Sequence, residues 1–359
     1  MTDSGSRSDR DDAAAEDAPA IVVIGAGLIG RTHAERVARL ARLDCIVDPA
    51  PQSAEIAATL GVPWFADLDS CLAARRPEGA IVATPNRLHA VQGLQLIAAG
   101  IPTLMEKPIA ITSAEGAALV DAAEAEGVPL LVGHHRRHNP LIATTKAAIE
   151  AGKLGKIVSV NGMFWLYKPD DYFDQAWRRA PGAGPILINL IHDIDLMRHL
   201  CGEVRRVQAL ASRATRGFEV EDSAAILLEF ANGALGTMSV SDTISAPWSW
   251  ELTAGENPAY PHTREACYRI GGTAGALSLP DLTLWSHPGQ RSWWAPIRHD
   301  TLSQPEGDSL DRQTLNLVEV IRGRAAPVVS GRDGLQTLRV VEAIAVAAAE
   351  GTAQDVPEG

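Results

Sequence analysis

Three groups of residues have types and spacings that could do chemistry. Gly25-Ala26-Gly27-Leu28-Ile29-Gly30 follows the apolar run Ala20–Ile24 and opens a stretch whose apolar positions recur at helical spacing. In that setting Gly25 permits a tight turn, Gly27 lets a pyrophosphate approach the backbone, and Gly30 lets helix and strand pack closely. The helix start, with Leu28 and Ile29, then presents free N–H groups to the anion. A plain glycine turn between strand and helix is the bland alternative. Asp48 argues against it: it ends the next apolar run, roughly 20 residues past the loop, where a carboxylate would accept both hydroxyls of a ribose and repel a 2′-phosphate. Pro49 and Ala50 follow, with no Arg or Lys immediately after Asp48 to pair with such a phosphate, so NAD is expected rather than NADP, with Arg31 the nearby residue that weighs the other way.

Ligands of an open α/β sheet sit outside the carboxyl ends of its strands. Two segments fall at such ends: Ala83-Thr84-Pro85-Asn86 with His89, and Glu106-Lys107-Pro108. Both are expected to line the cofactor. Lys107 there could give or take a proton if burial and cofactor charge lower its pKa from about 10.4. The alternative is a surface pair with Glu106. The bond before Pro108 is of the kind that tolerates the cis form.

The third group is Asn189-Leu190-Ile191-His192-Asp193-Ile194-Asp195. Helical spacing puts Asn189, His192 and Asp195 on roughly one face, which makes His192 a candidate acid or base; the alternative is a structural histidine held by Asp195. His134-His135-Arg136-Arg137-His138 resembles a metal cluster only superficially. Adjacent residues at a strand end rarely converge, and no acidic or cysteine ligands accompany them, so no metal is expected. His135 and Arg137 are expected instead on a cationic rim touching substrate. Trp165 and Tyr167 could form an apolar wall for a ring, while most other aromatics belong to core or interfaces.

Positioning such groups takes more than one domain. With 359 residues, 46% apolar and 21% charged, the chain suits two globular domains. A net charge of −12 without a basic run argues against nucleic acid and anionic lipid. Cys45, Cys71, Cys201 and Cys267 lie far apart with no C-x-x-C pair, which fits a reducing compartment, the cytoplasm. No apolar run approaches the length of a membrane span. Residues 1–19 are acidic and lack an apolar core, and are expected to be a disordered tail.

Between residues 20 and 138, short apolar runs alternate with helical patterns, which indicates βαβ units and a parallel sheet. Residues 139–359 read as an α+β substrate-binding and oligomerisation domain. A helix is expected at Leu141–Ala151 and another at Pro185–Cys201. Between and after them come VRRVQALASRA, SAAILLEF, GALGTMSVSDT, SWELTAG, ACYRIGG, GALSLP and LTLWS, strands of a large, mainly antiparallel open sheet. Helical periodicity returns at 308–322 and 331–350, in closing helices able to pack back on the first domain.

Together the glycine loop with Asp48, the ATPN..H segment, Glu106-Lys107-Pro108, GHHRRHNP, GAGPILINLIHDIDL and the helix after SGRDG resemble the Gfo/Idh/MocA oxidoreductases, the glucose-fructose oxidoreductase and inositol dehydrogenase group, over about residues 20–350. The resemblance implies a Rossmann domain, a sheet domain whose open face often forms homodimers or homotetramers, bound NAD, and proton chemistry by Lys107 and His192. One departure matters. Many of these dehydrogenases have Asp four residues before the histidine; here that position is Ile188, and Asn189 stands one place later. On a helix both positions neighbour His192, so Asn189 could hold substrate, but a relay through Asp does not carry over. The expected reaction is hydride transfer between NAD and a secondary alcohol of a sugar, inositol or related cyclic polyol. Rivals are a dihydrodiol dehydrogenase, a redox-neutral NAD-assisted glycosidase and a non-catalytic NAD-dependent regulator.

Overall fold

The structure, a computed structural model, describes residues 18–357, so the expected tail lies almost wholly outside the described residues. The chain divides into two compact units: residues up to His138 with Ser309–Leu335, and Asn139–Asp308 with residues from Gln336 on.

The first unit carries β1 (Ala20–Ile24), α1 (Leu28–Leu40), β2 (Arg42–Val47), α2 (Ser53–Thr59), β3 (Trp64–Phe65), α3 (Leu68–Ala74), β4 (Gly79–Val82), α4 (His89–Ala98), β5 (Thr103–Met105), α5 (Ser113–Ala125) and β6 (Leu130–Val132). Among the described residues these strands form one six-stranded sheet in the order β3-β2-β1-β4-β5-β6, with every pair parallel. Burial of both faces explains why β1 and β4 are apolar and buried throughout. The strand order reverses between β1 and β4, and that reversal opens a crevice at their carboxyl ends. Helix starts away from the crevice are closed by side chains. Asp67 accepts from Ser70 N at the head of α3, and Thr112 from Glu115 N at the head of α5.

The second unit begins with α6 (Pro140–Glu150), capped by Asn139 with Pro140 in its first turn. It continues with β7 (Ile157–Trp165), α7 (Pro185–Ile188), α8 (Leu190–Cys201), β8 (Val204–Ser212), β9 (Ser223–Phe230), β10 (Leu235–Ser241), α9 (Trp250–Thr253), β11 (Tyr268–Gly272), β12 (Gly275–Leu279), β13 (Thr283–Ser286), β14 (Arg298–Thr301) and, near the end, β15 (Gln354–Asp355). Among the described residues the strands form one nine-stranded sheet, β14-β13-β12-β11-β7-β10-β9-β8-β15. It is antiparallel except where β10 runs parallel to β7. α8 packs on β7, and Ile191 and Ile194 join Val160, Phe164, Ile226, Leu228, Met238 and Val240 in one core. Alternate strand residues point the other way. They leave Leu210, Leu227 and Leu235 exposed on the open face.

Two segments differ from expectation. SWELTAG is not a strand: Ser249 caps a short helix there, accepting from Leu252 N, while Trp250 is buried with Nε1 donating to Glu256 at 2.6 Å. A serine cap and a buried indole outweigh the alternating pattern. The expected helix Pro185–Cys201 is interrupted at Asn189 (φ −108°, ψ −56°), which ends α7 and starts α8. The closing helices are α10 (Ser309–Ile321) and α11 (Gly331–Glu350). α10 sends Leu317, Val318 and Val320 into the core of the first unit, with Ile21, Val23 and Ile81. The division between the units falls within the first turns of α11.

Candidate functional site

The glycine loop joins β1 to α1, and its three glycines do different work. Gly25 has φ +93°, and a Cβ there would lie 2.5 Å from Ala83 O; a Cβ on Gly30 would lie 1.9 Å from Gly25 O. Both therefore need glycine for conformation or packing. Gly27 instead has nothing within 4 Å of where its Cβ would be. It is the N-cap of α1 and supplies no side-chain cap, and the first turn holds no acidic residue. Leu28, on the crest of the loop, is 91% exposed. Uncapped N–H groups above an open glycine make a cradle that suits a pyrophosphate.

Asp48 follows β2. Its Oδ2 accepts from Ala26 N at 2.7 Å and its Oδ1 from Ala50 N at 2.8 Å, so it braces the loop. Each oxygen keeps a further lone pair, as ribose hydroxyls require. Arg31 is engaged by Glu35 at 2.9 Å on the exposed side of α1. After β4, Ala83 is buried, Thr84 donates to Gln92 Oε1 at 2.6 Å, and Pro85 and Asn86 are exposed. After β5, Lys107 is half-buried and the Lys107–Pro108 peptide is cis. The fold thus gathers the glycine loop, Asp48, residues 83–86 and Lys107 at neighbouring strand ends.

Four of the expected contact residues have polar groups engaged within the protein. His89 is fully buried, with Nδ1 2.8 Å from Pro108 O and Nε2 2.9 Å from Thr84 O, so its ring lies between two backbone carbonyls. Glu106 is also buried. Its Oε1 meets His33 Nε2 at 2.8 Å and its Oε2 accepts from Lys107 N at 3.1 Å, which makes it a brace for the lysine segment. Burial alone would raise its carboxyl, but the His33 hydrogen bond and the charges of His33, Lys107 and His135 prevail and bring it down to about 2. Arg137, its side chain 4% exposed, pairs with Asp333 at 3.1 Å, and Asp333 in turn accepts from Ser330. Of the residues 134–138 only His135 is even half-exposed. Trp165 follows the core residue Phe164 on β7 and donates to Ser239 on the open face, so it lies on the side of the sheet opposite α8.

In the second unit, α8 carries His192, 7% exposed, whose backbone N–H donates to Asn189 O at 3.2 Å. The side-chain Oδ1 of Asn189 is buried and has no hydrogen-bond partner among the described residues. The two acids of the helix have structural work: Tyr268 donates to Asp193, and Thr337 to Asp195 at 3.0 Å. Tyr167 is largely exposed, its ring centroid 5.7 Å from the Arg216 guanidinium. His33 is the residue that reading the sequence missed. The signal was present: it stands three places after Gly30, on the helix face that must meet the sheet.

Comparison with known proteins bears on both units. The family model for the oxidoreductase family, NAD-binding Rossmann fold, matches residues 20–134, and that for the GFO/IDH/MocA C-terminal domain matches residues 142–278. The rhizopine catabolism protein MocA of Rhizobium meliloti is 28% identical over 89% of this chain and 92% of its own length. An inositol 2-dehydrogenase of Rhizobium meliloti strain 1021 is 25% identical over 91% of this chain and 96% of its own. Among solved structures, the WlbA dehydrogenase from Bordetella pertussis, in complex with NADH and UDP-GlcNAcA, has a TM-score of 0.77 at 26% identity and covers 95% of this chain and 100% of that one.

Proposed function

The chain belongs to the Gfo/Idh/MocA family of oxidoreductases, and from that premise we propose that it oxidises a secondary alcohol of a sugar, inositol or related cyclic polyol, or reduces the matching ketone. It is an NAD-dependent oxidoreductase. NAD, once bound, supplies the acceptor for the hydrogen on carbon. The chain supplies the rest: Gly27 and the head of α1 hold the pyrophosphate, Asp48 the ribose, and Lys107 and His192 handle the hydroxyl proton.

The observation that carries the substrate class is Asn189. Its buried Oδ1 lacks a protein partner one turn before His192, and an acceptor left bare in that way favours a ligand rich in hydroxyl donors. Names of relatives such as inositol 2-dehydrogenase support the same class. A dihydrodiol would want aromatic walls, and Trp165 faces the other side of the sheet.

We further propose a homodimer or homotetramer through the open sheet face, where Leu210 and Leu227 stand among Asn161, Gln208, Ala225 and Thr237. No helix of the described residues is long and apolar enough to cross a membrane. We place the chain in a reducing, cytoplasmic setting on the sequence spacing of its four cysteines, which has no C-x-x-C pair.

NADH formation, followed by its near-ultraviolet absorbance with a panel of inositols, sugars, sugar acids, glycosides and a dihydrodiol, tests the reading. Turnover with a polyol or sugar, lost in both Lys107→Ala and His192→Ala, is the expected result. NAD binding without NADH formation from any of them would overturn it in favour of a redox-neutral or regulatory role.

A further inference from the structure

His33 is a fully buried, polar side chain on the helix whose N-terminus faces the cofactor, and the reaction as proposed has no use for it. Its Nε2 lies 2.8 Å from Glu106 Oε1, and the other oxygen of the same carboxylate accepts the backbone N–H of Lys107 at 3.1 Å. The carboxylate has little room to move. A Cβ on Gly133 would come within 3.0 Å of Glu106 Cδ and Oε1, so the chain leaves a glycine-sized gap on that side. The charged groups facing Glu106 are His33 from α1, its chain neighbour Lys107, and His135 from the turn after β6. A purely structural histidine could rest on any backbone carbonyl, as His89 does on two. His33 instead engages the carboxylate that also accepts the backbone N–H of Lys107.

We propose that His33 is a positioning residue for Lys107: through Glu106 it ties the lysine segment to the helix that receives the cofactor pyrophosphate. His89 holds the same segment from the other side, joining Pro108 O to Thr84 O. The lysine is thereby fixed relative to two cofactor-facing turns. Without His33, the buried carboxylate loses a hydrogen bond and a charge that help offset its burial, takes up a proton more readily, and no longer fixes Lys107 N. The inference rests on Lys107 as a proton-handling group, but its test separates the two ideas.

His33→Leu removes the hydrogen bond at similar volume, and His33→Gln can restore a donor. In each, the pH dependence of Lys107 acylation is read by peptide mass spectrometry, with exposed Lys153 as the internal reference, beside melting temperature, NAD affinity, kcat and KM. For His33→Leu the Lys107 profile should shift while that of Lys153 stays, and kcat should fall on the order of 10²-fold with a smaller change in KM. His33→Gln should recover most of both. A folded His33→Leu with an unchanged Lys107 profile and kcat within about twofold of wild type overturns the proposal. So does a His33→Gln no better than His33→Leu. If His33→Leu does not fold, His33→Asn, too short to span the distance to Glu106, is read in the same way. Should Lys107→Ala keep full turnover, the catalytic reading of Lys107 fails, while the acylation profile still reports whether His33 positions it.

Discussion

Gly27 and Gly30 belong to one motif, yet alanine at each should fail differently. At Gly30 a Cβ would sit 1.9 Å from Gly25 O and 2.8 Å from Gly25 C, both backbone atoms; ordinary contact begins at 3.4 Å. Loop and helix would have to part by ~1.5 Å, with no flexible side chain to yield. Overpacking of that kind costs 1–3 kcal/mol in general, and a rigid neighbour places this case at about 3 kcal/mol. With roughly 2–4 °C per kcal/mol for a domain of 150–250 residues, Gly30→Ala should melt about 6–12 °C below wild type. Gly27→Ala meets nothing within 4 Å, and its φ of −66° suits any residue, so its melting temperature should match wild type. The added methyl would stand where the pyrophosphate must approach. Losing a charge-assisted hydrogen bond and part of the helix-terminus attraction, about 3 kcal/mol together, should weaken NAD binding by roughly 10²-fold. Thermal unfolding and isothermal titration calorimetry with NAD check both halves. A folded Gly27→Ala that binds NAD as wild type does would refute the assignment of the cradle, and a Gly30→Ala as stable as wild type would refute the packing argument.

The Glu106 carboxyl, buried yet held at about 2 against 4.5 in its ordinary state, links stability to pH. Its folded value is the lower one, so the stabilisation is fully present above about pH 4.5 and is lost as pH falls toward 2. In urea unfolding the advantage of wild type over Glu106→Gln, about 3 kcal/mol on this linkage, should be present above about pH 4.5 and shrink as pH falls through that acid window; a difference that does not change across that window would refute it. On the open sheet face Leu227 is 54% exposed. Leu227→Arg should lower the mass measured by light scattering after gel filtration while leaving the melting temperature of each unit nearly intact, and an unchanged mass would remove this face as the interface.

The parallel sheet was legible in the sequence because strands buried on both faces become uninterrupted apolar runs, and glycines at set spacing mark the one turn that must pass close to a ligand. Other elements left no such trace. β3 and β15 are two residues each, and β14, Arg298–Thr301, is exposed at every position, so it carries no burial pattern and is recognisable by its pairing with β13. The parallel pairing of β10 with β7 is a property of the long connection between them, which local alternation does not encode.

At the site, residue type revealed which segments matter but not which way their polar atoms turn. Thr84, Asn86, Glu106, Lys107, His89 and Arg137 look equivalent as letters beside a strand end. In the folded chain Glu106, His89 and Arg137 are enclosed: Glu106 accepts from Lys107 N, the His89 ring lies against two backbone carbonyls and Arg137 pairs with Asp333, while Asn86 is exposed and Lys107 half-buried. The difference comes from long-range contacts: Glu106 faces inward because His33 on α1 and the gap beside Gly133 leave it a place there. A buried carboxylate beside a half-buried lysine is costly unless a donor meets it. That requirement makes His33 part of the same device as Lys107, although 73 residues separate it from Glu106 in the chain.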